Sequence, residues 1–346
     1  MSLRFGVFDQ LEHPGGVPLN ELYRHRINLA VRAEEAGFWG WHKSEHHLIP
    51  LDAAPSINVF LAAVIERTSI IRIGSLVHLL PFYHPLRLFE ELCMLDHLSE
   101  GRLEIGFGKG VSPPEHILWG LDADEAVAKT NEALDIILRA MASTSDSFSY
   151  EGRFHRFEDV PLEVGPYQRP HPPLWRPGTL DTAARMGART MAAGPLAAVA
   201  GAVARYRELF DPDGPCAGPE PMIGGIRKIL VADSDAEADA IGRRAWVAYT
   251  EHLTRLFRRF GLLPPGDPTL GGDYDLAKSV QAVVVGSPST VLEHCQQFEA
   301  EAGTDYFVGG FSWGDLSAQE TTRSFDLFAE YIVQPMKAEF AAGSAS

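Results

Sequence analysis

Strand-like and helix-like segments alternate along most of this chain of 346 residues, and this alternation restricts the fold more than any other feature. Between residues 38 and 110, a strand, a helix, a second strand and a second helix precede a third strand that ends in glycines. Strands that alternate with helices favour a parallel sheet, either closed as a barrel or open and doubly wound. No G-x-G-x-x-G follows the first strand, residues 4–9, which counts against an open dinucleotide-binding sheet.

Hydrophobic periodicity assigns most of the chain to these two kinds of element. The predicted strands cover residues 4–9, 38–43, 70–77, 102–107, 173–176, 189–193, 226–232 and 305–308. The predicted helices cover 19–36, 56–67, 85–98, 123–140, a segment from about 180, 234–260, a segment ending near 302, and 317–333. The run 281–285 competes with 305–308 for the last strand, and we assign that position to 305–308. One domain is predicted, with insertions at about 143–172 and 261–280 and a frayed tail after about 335.

An excess of acidic residues limits the partners that this protein can have. The formal net charge is −16 and the pI is about 5.2, which disfavours nucleic acid and anionic membranes as partners. The N-terminus has no charged-then-apolar leader, and no apolar run reaches the length of a membrane span, so we predict a cytoplasmic protein. The three cysteines are scattered without a C-x-x-C spacing, which supports neither a disulfide scaffold nor a zinc site.

The sequence Glu45-His46-His47 directly follows the second predicted strand. In a parallel barrel the ends of the strands share one face, and that face carries the catalytic residues. One imidazole there can act as a general acid or base. The alternative is a pair of hydrogen-bonded loop histidines, and the residues alone do not separate the two. Adjacent side chains of an extended segment point in opposite directions, and H-x-H and H-E-x-x-H are absent, so no metal site is predicted.

Two later segments have the character of anion-binding sites. The stretch Gly106-Phe107-Gly108-Lys109-Gly110 lets backbone approach a ligand closely and supplies one cation. The stretch Gly178-Thr179-Leu180 leads into a predicted helix, whose first N–H groups can bind an anion. The alternatives are an ordinary strand end for the first segment and simple helix capping for the second.

In their order and spacing these segments resemble the bacterial luciferase-like monooxygenases. The matching segments are residues 45–47, 74–87, 95–102 and 106–110, with weaker likeness over 173–187 and 285–310. Members of that family are flavin-using TIM barrels. The resemblance therefore implies an α/β fold of the TIM (β/α)8 type with insertions, and it decides between the barrel and the open sheet.

The resemblance also implies roles for individual residues. The family's catalytic histidine matches His46, and a non-proline cis peptide that is common under the flavin ring matches the bond Leu76–Val77. The implied cofactor-binding residues are Glu45, Leu76, Val77, Lys109, Gly178, Thr179 and Leu180, and the implied substrate pocket includes His47, His78 and Trp246. Two contacts to the flavin phosphate depart from the family. Lys109 stands where arginine is frequent, and Gly178-Thr179 stands where glutamate-serine is frequent.

The function that the resemblance implies is an FMN-dependent monooxygenase. Reduced FMN (FMNH2) from a separate flavin reductase and O2 would be used to oxidise a small organic substrate, and the absence of a nicotinamide fingerprint fits electrons arriving from elsewhere. Two alternatives are a flavin-binding relative without catalysis and a deazaflavin (F420)-dependent dehydrogenase on the same fold. A metallohydrolase is a more distant alternative.

The resemblance also bears on assembly. The predicted helices 56–67 and 85–98 are apolar over most of their surface, and a helix that is apolar all round is buried on more than one side. The luciferase-like family buries the matching helices in a dimer interface. A homodimer through helices 56–67 and 85–98 is therefore predicted.

Overall fold

The computed structural model describes residues 3–145, 147–263 and 272–343, with side chains as far as residue 338. The strands are β1 (Arg4–Asp9), β2 (Gly40–Lys43), β3 (Arg72–Ser75), β4 (His78–Leu79), β5 (Leu103–Gly108), β6 (Ser147–Glu151), β7 (Arg156–Pro161), β8 (Leu174–Trp175), β9 (Thr190–Ala192), β10 (Ile223–Val231), β11 (Val283–Gly286) and β12 (Tyr306–Gly310). The helices are α1 (Leu19–Glu35), α2 (Ile57–Ile65), α3 (Pro85–Leu98), α4 (Pro113–Leu118), α5 (Ala126–Ala142), α6 (Leu180–Arg185), α7 (Leu196–Leu209), α8 (Asp235–Phe260), α9 (Tyr274–Ser279), α10 (Pro288–Gln297), α11 (Ala318–Phe328) and α12 (Gln334–Gly343).

Eight of these strands close into a parallel barrel. From β1 the pairing runs to β2, β3 and β5 in one direction, and to β12, β10 and β9 in the other. β5 pairs with β8, and a bridge between Trp175 in β8 and Arg189 beside β9 completes the ring. The strands follow one another around the ring in chain order, so the predicted TIM-type barrel is confirmed.

The last position in the barrel belongs to β12, as predicted, because this strand pairs with β1 and with β10 at once. The competing run is also a strand, β11, but it lies outside the ring. β10 is nine residues long, and its second half extends past β12 to pair with β11 through residues 228–231. One strand of the barrel therefore carries an extra strand at its outer end.

Several segments to which no strand or helix was assigned contain regular structure. The insertion at 143–172 contains the antiparallel hairpin β6–β7, and the alanine-rich run near residue 200 forms α7, which has little sequence periodicity. Residues 264–271 of the second insertion lie outside the described residues, and α9 follows them with the Asp273 side chain accepting a hydrogen bond from the Leu276 N–H. In the tail after about 335, which was predicted to be frayed, α12 continues the last helix to Gly343, and Met336 is buried.

Near the amino-terminal ends of the strands, the barrel interior is filled by a buried charge cluster. Glu104 of β5 is fully buried and accepts hydrogen bonds from the Arg189 guanidinium at 2.8 and 2.9 Å. It also accepts hydrogen bonds from Arg72 and from the indole N–H of Trp175. This cluster closes one end of the barrel and leaves the carboxyl ends of the strands as the open face.

The apolar helices that motivated the dimer are largely covered within the chain. On α2 the apolar residue Val59 is exposed, at 71%, whereas the other large apolar side chains are buried, namely Ile57, Phe60, Leu61, Val64 and Ile65. On α3 the exposed apolar side chains are Met94 and Leu98. The sequence predicts that these helices are buried on more than one side. The chain itself provides this burial, because α2 and α3 pack on each other and are flanked by α1 and α5.

Candidate active site

A cavity of about 390 Å³ opens at the carboxyl ends of four neighbouring barrel strands. Its walls come from the segments that follow β2, β3, β5 and β8, with one side of α5. The lining residues are Phe8, Ser44, Glu45, His46, Leu76, Val77, Leu79, Phe107, Gly108, Lys109, Gly110, Val111, Val127, Thr130, Arg176, Pro177, Gly178 and Thr179. Most of them are apolar, and the polar groups concentrate at the β2 end and at the β8 end. This is the face on which TIM barrels carry their chemistry.

His46 lines the β2 end of the cavity and is held on two sides. Its backbone N–H donates to the Asp52 carboxylate at 3.1 Å, and its Nδ1 lies 3.3 Å from Oε1 of Glu115. Glu115 belongs to α4 and is almost completely buried. In the part of the chain that the structure describes, Nε2 of His46 has no hydrogen-bonding partner. The arrangement is therefore an imidazole oriented by a carboxylate, with one nitrogen available for proton transfer.

Glu45 also lines the cavity, but both of its oxygens are committed to protein donors. Oε2 accepts the Leu79 N–H at 2.9 Å, and Oε1 accepts the Tyr83 hydroxyl at 2.8 Å and the His47 imidazole at 2.9 Å. His47 itself does not line the cavity and stacks on Phe82, with ring centroids 5.3 Å apart. Glu45 therefore ties the loop after β2 to the loop after β3.

The peptide bond Leu76–Val77 is cis, and both residues line the cavity. His78 follows them but lies behind this wall, fully buried and away from the cavity. Its Nε2 donates to the Asn58 amide oxygen at 2.7 Å, so its Nδ1 accepts from the Ser75 hydroxyl at 2.7 Å. Burial lowers the pKa of His78, which keeps the ring neutral. The structure thus places His78 as a support for the cavity wall.

Two cations line the opposite end of the cavity, between β5 and β8. Lys109 follows β5, and among the described residues its ammonium group has neither a salt bridge nor a hydrogen-bonded partner. Arg176 follows β8 and donates to Thr179 Oγ1 at 3.2 Å and to the Asn131 amide oxygen at 3.4 Å. No carboxylate in the described chain pairs with either of them. An anionic ligand would balance the positive charge at this end of the cavity.

Of the three other residues that were predicted to bind the phosphate, two line the cavity and one does not. Gly178 and Thr179 line the cavity, and a Cβ added at Gly178 would meet no heavy atom within 4 Å. Leu180, the first residue of α6, packs partly against the apolar core and does not line the cavity. Lys129 is close in sequence to Val127 and Thr130, which line the cavity, but it does not line the cavity itself. It pairs with Glu125 at 3.3 Å and lies 5.4 Å from the centre of the Phe154 ring.

A second cavity, of about 350 Å³, occupies the other half of the same face. Its walls come from the ends of β1, β9 and β12, from the middle of β10 and from α8, and Phe8 lines both cavities. Trp246 lines this second cavity and not the first. Its ring packs on Tyr249 with centroids 5.2 Å apart. The face therefore carries two adjoining cavities with separate linings.

Two of these polar groups, Arg176 and Glu115, were not selected from the sequence. Arg176 ends the fifth predicted strand. It can be found from the sequence by inspecting the side chains at the end of every strand, as was done for Glu45-His46-His47. Glu115 is 69 residues from His46 and follows two prolines in a short helix. No local pattern connects it to the histidine.

Two classes of structure are absent from the described residues. In residues 3–145, 147–263 and 272–343, no group of three or more His, Cys, Asp or Glu side chains is arranged to hold a metal ion. Over the same ranges, every helix is too short or too polar to cross a membrane.

The sequence model of the family described as luciferase-like monooxygenase matches residues 3–306, which include every residue that lines the first cavity and all except Gly310 of those that line the second. The chain belongs to the luciferase-like monooxygenase family. Among its relatives, the protein y4wF of Sinorhizobium fredii, whose function is uncharacterised, is 35% identical over 91% of this chain and 92% of its own length.

Solved structures agree with this membership. The monooxygenase RslO1 of Streptomyces bottropensis superposes with a TM-score of 0.81 at 26% identity, covering 96% of this chain and 99% of that one. The oxygenating constituent of 3,6-diketocamphane monooxygenase from Pseudomonas putida, solved with FMN, superposes with a TM-score of 0.75 at 21% identity over 96% and 98% of the two chains. The first is a monooxygenase relative of this luciferase-like chain, and the second shows the shared fold.

Proposed function

We propose that this protein is an FMN-dependent monooxygenase that uses reduced FMN and O2 to oxidise a small organic substrate. The reductant would come from a separate flavin reductase, because the sequence has no nicotinamide fingerprint and the Pseudomonas putida neighbour is described as an oxygenating constituent. Family membership supports the oxygenase class. The choice of FMN and the assignment of residues depend on the geometry of the first cavity.

The observation that carries the proposal is the order of groups along that cavity. Unpaired cations stand at one end, after β5 and β8, and the histidine stands at the other end, after β2. Apolar side chains of Leu76, Val77 and Phe107 lie between them. A flavin mononucleotide has the same order of groups, with a phosphate at one end and a flat, mostly apolar ring at the other.

When bound, reduced FMN supplies the oxygen-activating chemistry, and the protein supplies position and protons. Lys109, Arg176, Gly178 and Thr179 would hold the phosphate, and the cis segment Leu76–Val77 would support the ring. His46, oriented by Glu115, would exchange a proton at Nε2 with the reacting group, and Glu45 would hold the loop that carries it. The apolar walls exclude water, which limits wasteful release of oxygen species.

Titration of the purified protein with reduced FMN, oxidised FMN and a deazaflavin cofactor tests the proposal, followed by turnover with a flavin reductase and a substrate panel. We expect FMN to bind in preference to the deazaflavin and to support oxygen incorporation. Preference for the deazaflavin would favour a dehydrogenase on the same fold. Tight FMN binding without turnover on any substrate would favour a flavin-binding protein without catalysis.

Loss of a cation at the β5–β8 end is expected to weaken FMN binding selectively. A charge-assisted hydrogen bond to phosphate contributes about 1.5–3 kcal/mol, so Lys109→Ala should raise the Kd for FMN by roughly 10- to 150-fold. The Kd for riboflavin, which lacks the phosphate, should change little. Fluorescence titration measures both values.

The matched control for this prediction is Lys129→Ala, because Lys129 is close in sequence to the cavity wall but is paired with Glu125. It should leave both Kd values unchanged. An equal loss of FMN and riboflavin binding in Lys109→Ala would remove Lys109 from the phosphate site.

A homodimer remains our prediction for assembly, and it now depends on family resemblance, since the chain covers most of α2 and α3 itself. Light scattering at micromolar concentration should report twice the chain mass of 38.0 kDa. Val59→Glu and Met94→Glu, at exposed apolar positions of α2 and α3, should shift the protein towards monomer. Val247→Glu is the control, because Val247 is equally exposed but lies on α8. A wild-type monomer would contradict the prediction.

A further inference from the structure

We propose that Lys228 binds a carboxylate carried by the organic substrate, so that the second cavity selects apolar molecules with one anionic end. The inference rests on the proposed function, because it assigns the substrate class of the same active-site face. It is carried by the position of the Lys228 ammonium group, by the partners of the acidic residues around it and by the apolar character of the remaining wall.

Lys228 lies on β10, opposite Gly310 of β12, and both residues line the second cavity. Gly310 leaves room for the lysine, since a Cβ there would meet Lys228 Cδ at 3.3 Å. The ammonium group donates to the Gln10 amide oxygen and lies 4.4 Å from the centre of the Tyr249 ring. No carboxylate in the described residues lies within 4.0 Å of it, whereas the buried Lys43 has Asp52 at 2.6 Å.

The acidic residues whose charges act on Lys228 have their closest contacts with other groups. Oδ1 of Asp9 is 3.8 Å from Arg26 and accepts the Leu11 N–H at 2.8 Å, and its Oδ2 is buried with no hydrogen-bonding partner among the described residues. Glu12 binds the His252 imidazole at 2.6 Å and the Gly314 N–H at 2.7 Å. Among the described residues, the direct partners of the Lys228 ammonium group are a neutral amide oxygen and an aromatic face.

The Lys228 side chain is partly buried, and no carboxylate of the described residues lies within 4.0 Å of its ammonium group. Removing an ammonium group from water without a close counter-charge is costly. Burial lowers the pKa of Lys228 to about 8, against the opposing influence of Glu12 and Asp9. A carboxylate placed in the cavity would supply the missing charge and form a charge-assisted hydrogen bond. An anionic ligand in the second cavity would therefore stabilise the charged form of Lys228.

The rest of the wall accepts an apolar body. Phe8, Ile226, Trp246, Tyr249 and Leu253 supply most of the surface, and a volume of about 350 Å³ suits a small molecule. The indole N–H of Trp246 is buried in this wall and has no acceptor in the described chain. Because Phe8 lines both cavities, a ligand bound in the second cavity lies beside the proposed flavin cavity.

The test measures binding of three carboxylates and their primary amides, so that shape is matched and charge differs. The pairs are benzoate with benzamide, 2-naphthoate with 2-naphthamide, and decanoate with decanamide, titrated by calorimetry at pH 7 into wild-type protein. At least one carboxylate should bind about tenfold or more tightly than its amide. Lys228→Met should abolish this preference, whereas Lys109→Met, which removes one of the two cations of the first cavity, should retain it.

Lys228→Met replaces a partly buried charge that has no close carboxylate among the described residues by an apolar chain of similar length, so it should fold, and a thermal melt checks this. The wild-type preference itself needs no variant. Absence of a preference in all three pairs overturns the inference, and so does a preference that survives in Lys228→Met. The titrations contain no flavin, so the carboxylate preference can be measured even if the protein does not bind FMN. Conversely, absence of the preference would not affect the test of FMN turnover.

The pH dependence of the preference provides a second readout. The groups around the ammonium are Asp9, Gln10 and Glu12 from β1 and the loop after it, Arg26 from α1, and Tyr249 and His252 from α8. Burial raises the pKa of Tyr249, so its hydroxyl keeps its proton. The preference for carboxylate should therefore fall as the pH rises through about 8, and an unchanged preference at pH 10 would count against Lys228 as the anchor.

Discussion

Replacing His46 by alanine is expected to abolish productive oxygenation while leaving a folded protein that still binds FMN. General acid–base catalysis by a positioned side chain contributes about 10²–10⁴-fold, so the rate of product formation should fall by that factor. Flavin oxidation should continue and yield hydrogen peroxide, because the step that is lost is proton transfer and not cofactor binding. The measurement is product formed per flavin oxidised, together with the FMN Kd and the melting temperature.

Two further variants separate catalysis from loop structure. His47→Ala removes the neighbouring imidazole, which bonds Glu45 and does not line the cavity, and it should retain most of the coupling. Glu115→Gln keeps the shape of the residue that contacts His46 Nδ1 but weakens its hold, so coupling should fall to an intermediate value. If His46→Ala couples as well as the wild type, His46 is a loop histidine and the catalytic assignment is wrong.

Replacing Glu104 by alanine is expected to cause a large loss of stability. It would leave Arg189 buried, and Arg72 largely buried, without their shared carboxylate, and the Trp175 indole N–H would lose its acceptor. Removing one partner from a buried ion pair costs about 3–5 kcal/mol. Chemical denaturation monitored by fluorescence measures the free energy of unfolding.

Asp326→Ala is the matched control, because Asp326 pairs with Arg32 at the surface and such pairs contribute about 0–1 kcal/mol. A loss of stability in Glu104→Ala no larger than in this control would contradict the role of the cluster.

Burial opposes ionisation of Glu104, but Arg189 and Arg72 lower its pKa overall. This stabilisation is therefore present above the unfolded pKa of about 4.3 and is lost as the pH falls through the folded value. Glu104→Gln should make the free energy of unfolding depend less on pH over this acidic range.

The order of strands and helices was determined by the sequence, and so was the position of His46 at the mouth of the barrel. Periodicity reports which side of each element is apolar, and in a parallel barrel every strand end lies on one face. The same reasoning placed β12 in the ring. It failed for α7, whose alanines and glycines carry little periodic signal, and for the hairpin β6–β7, whose exposed strands have no strong alternation.

Contacts between distant segments were decided only by the tertiary structure. Closure of the ring brings Glu115 to His46, and it separates His78 and Trp246 from the first cavity. It also places Lys228 on the wall of the second cavity, where no carboxylate of the described residues lies within 4.0 Å of its ammonium group. The physical reason is that hydrophobic pattern describes one element at a time, whereas charge pairing and cavity shape depend on which elements the fold makes neighbours.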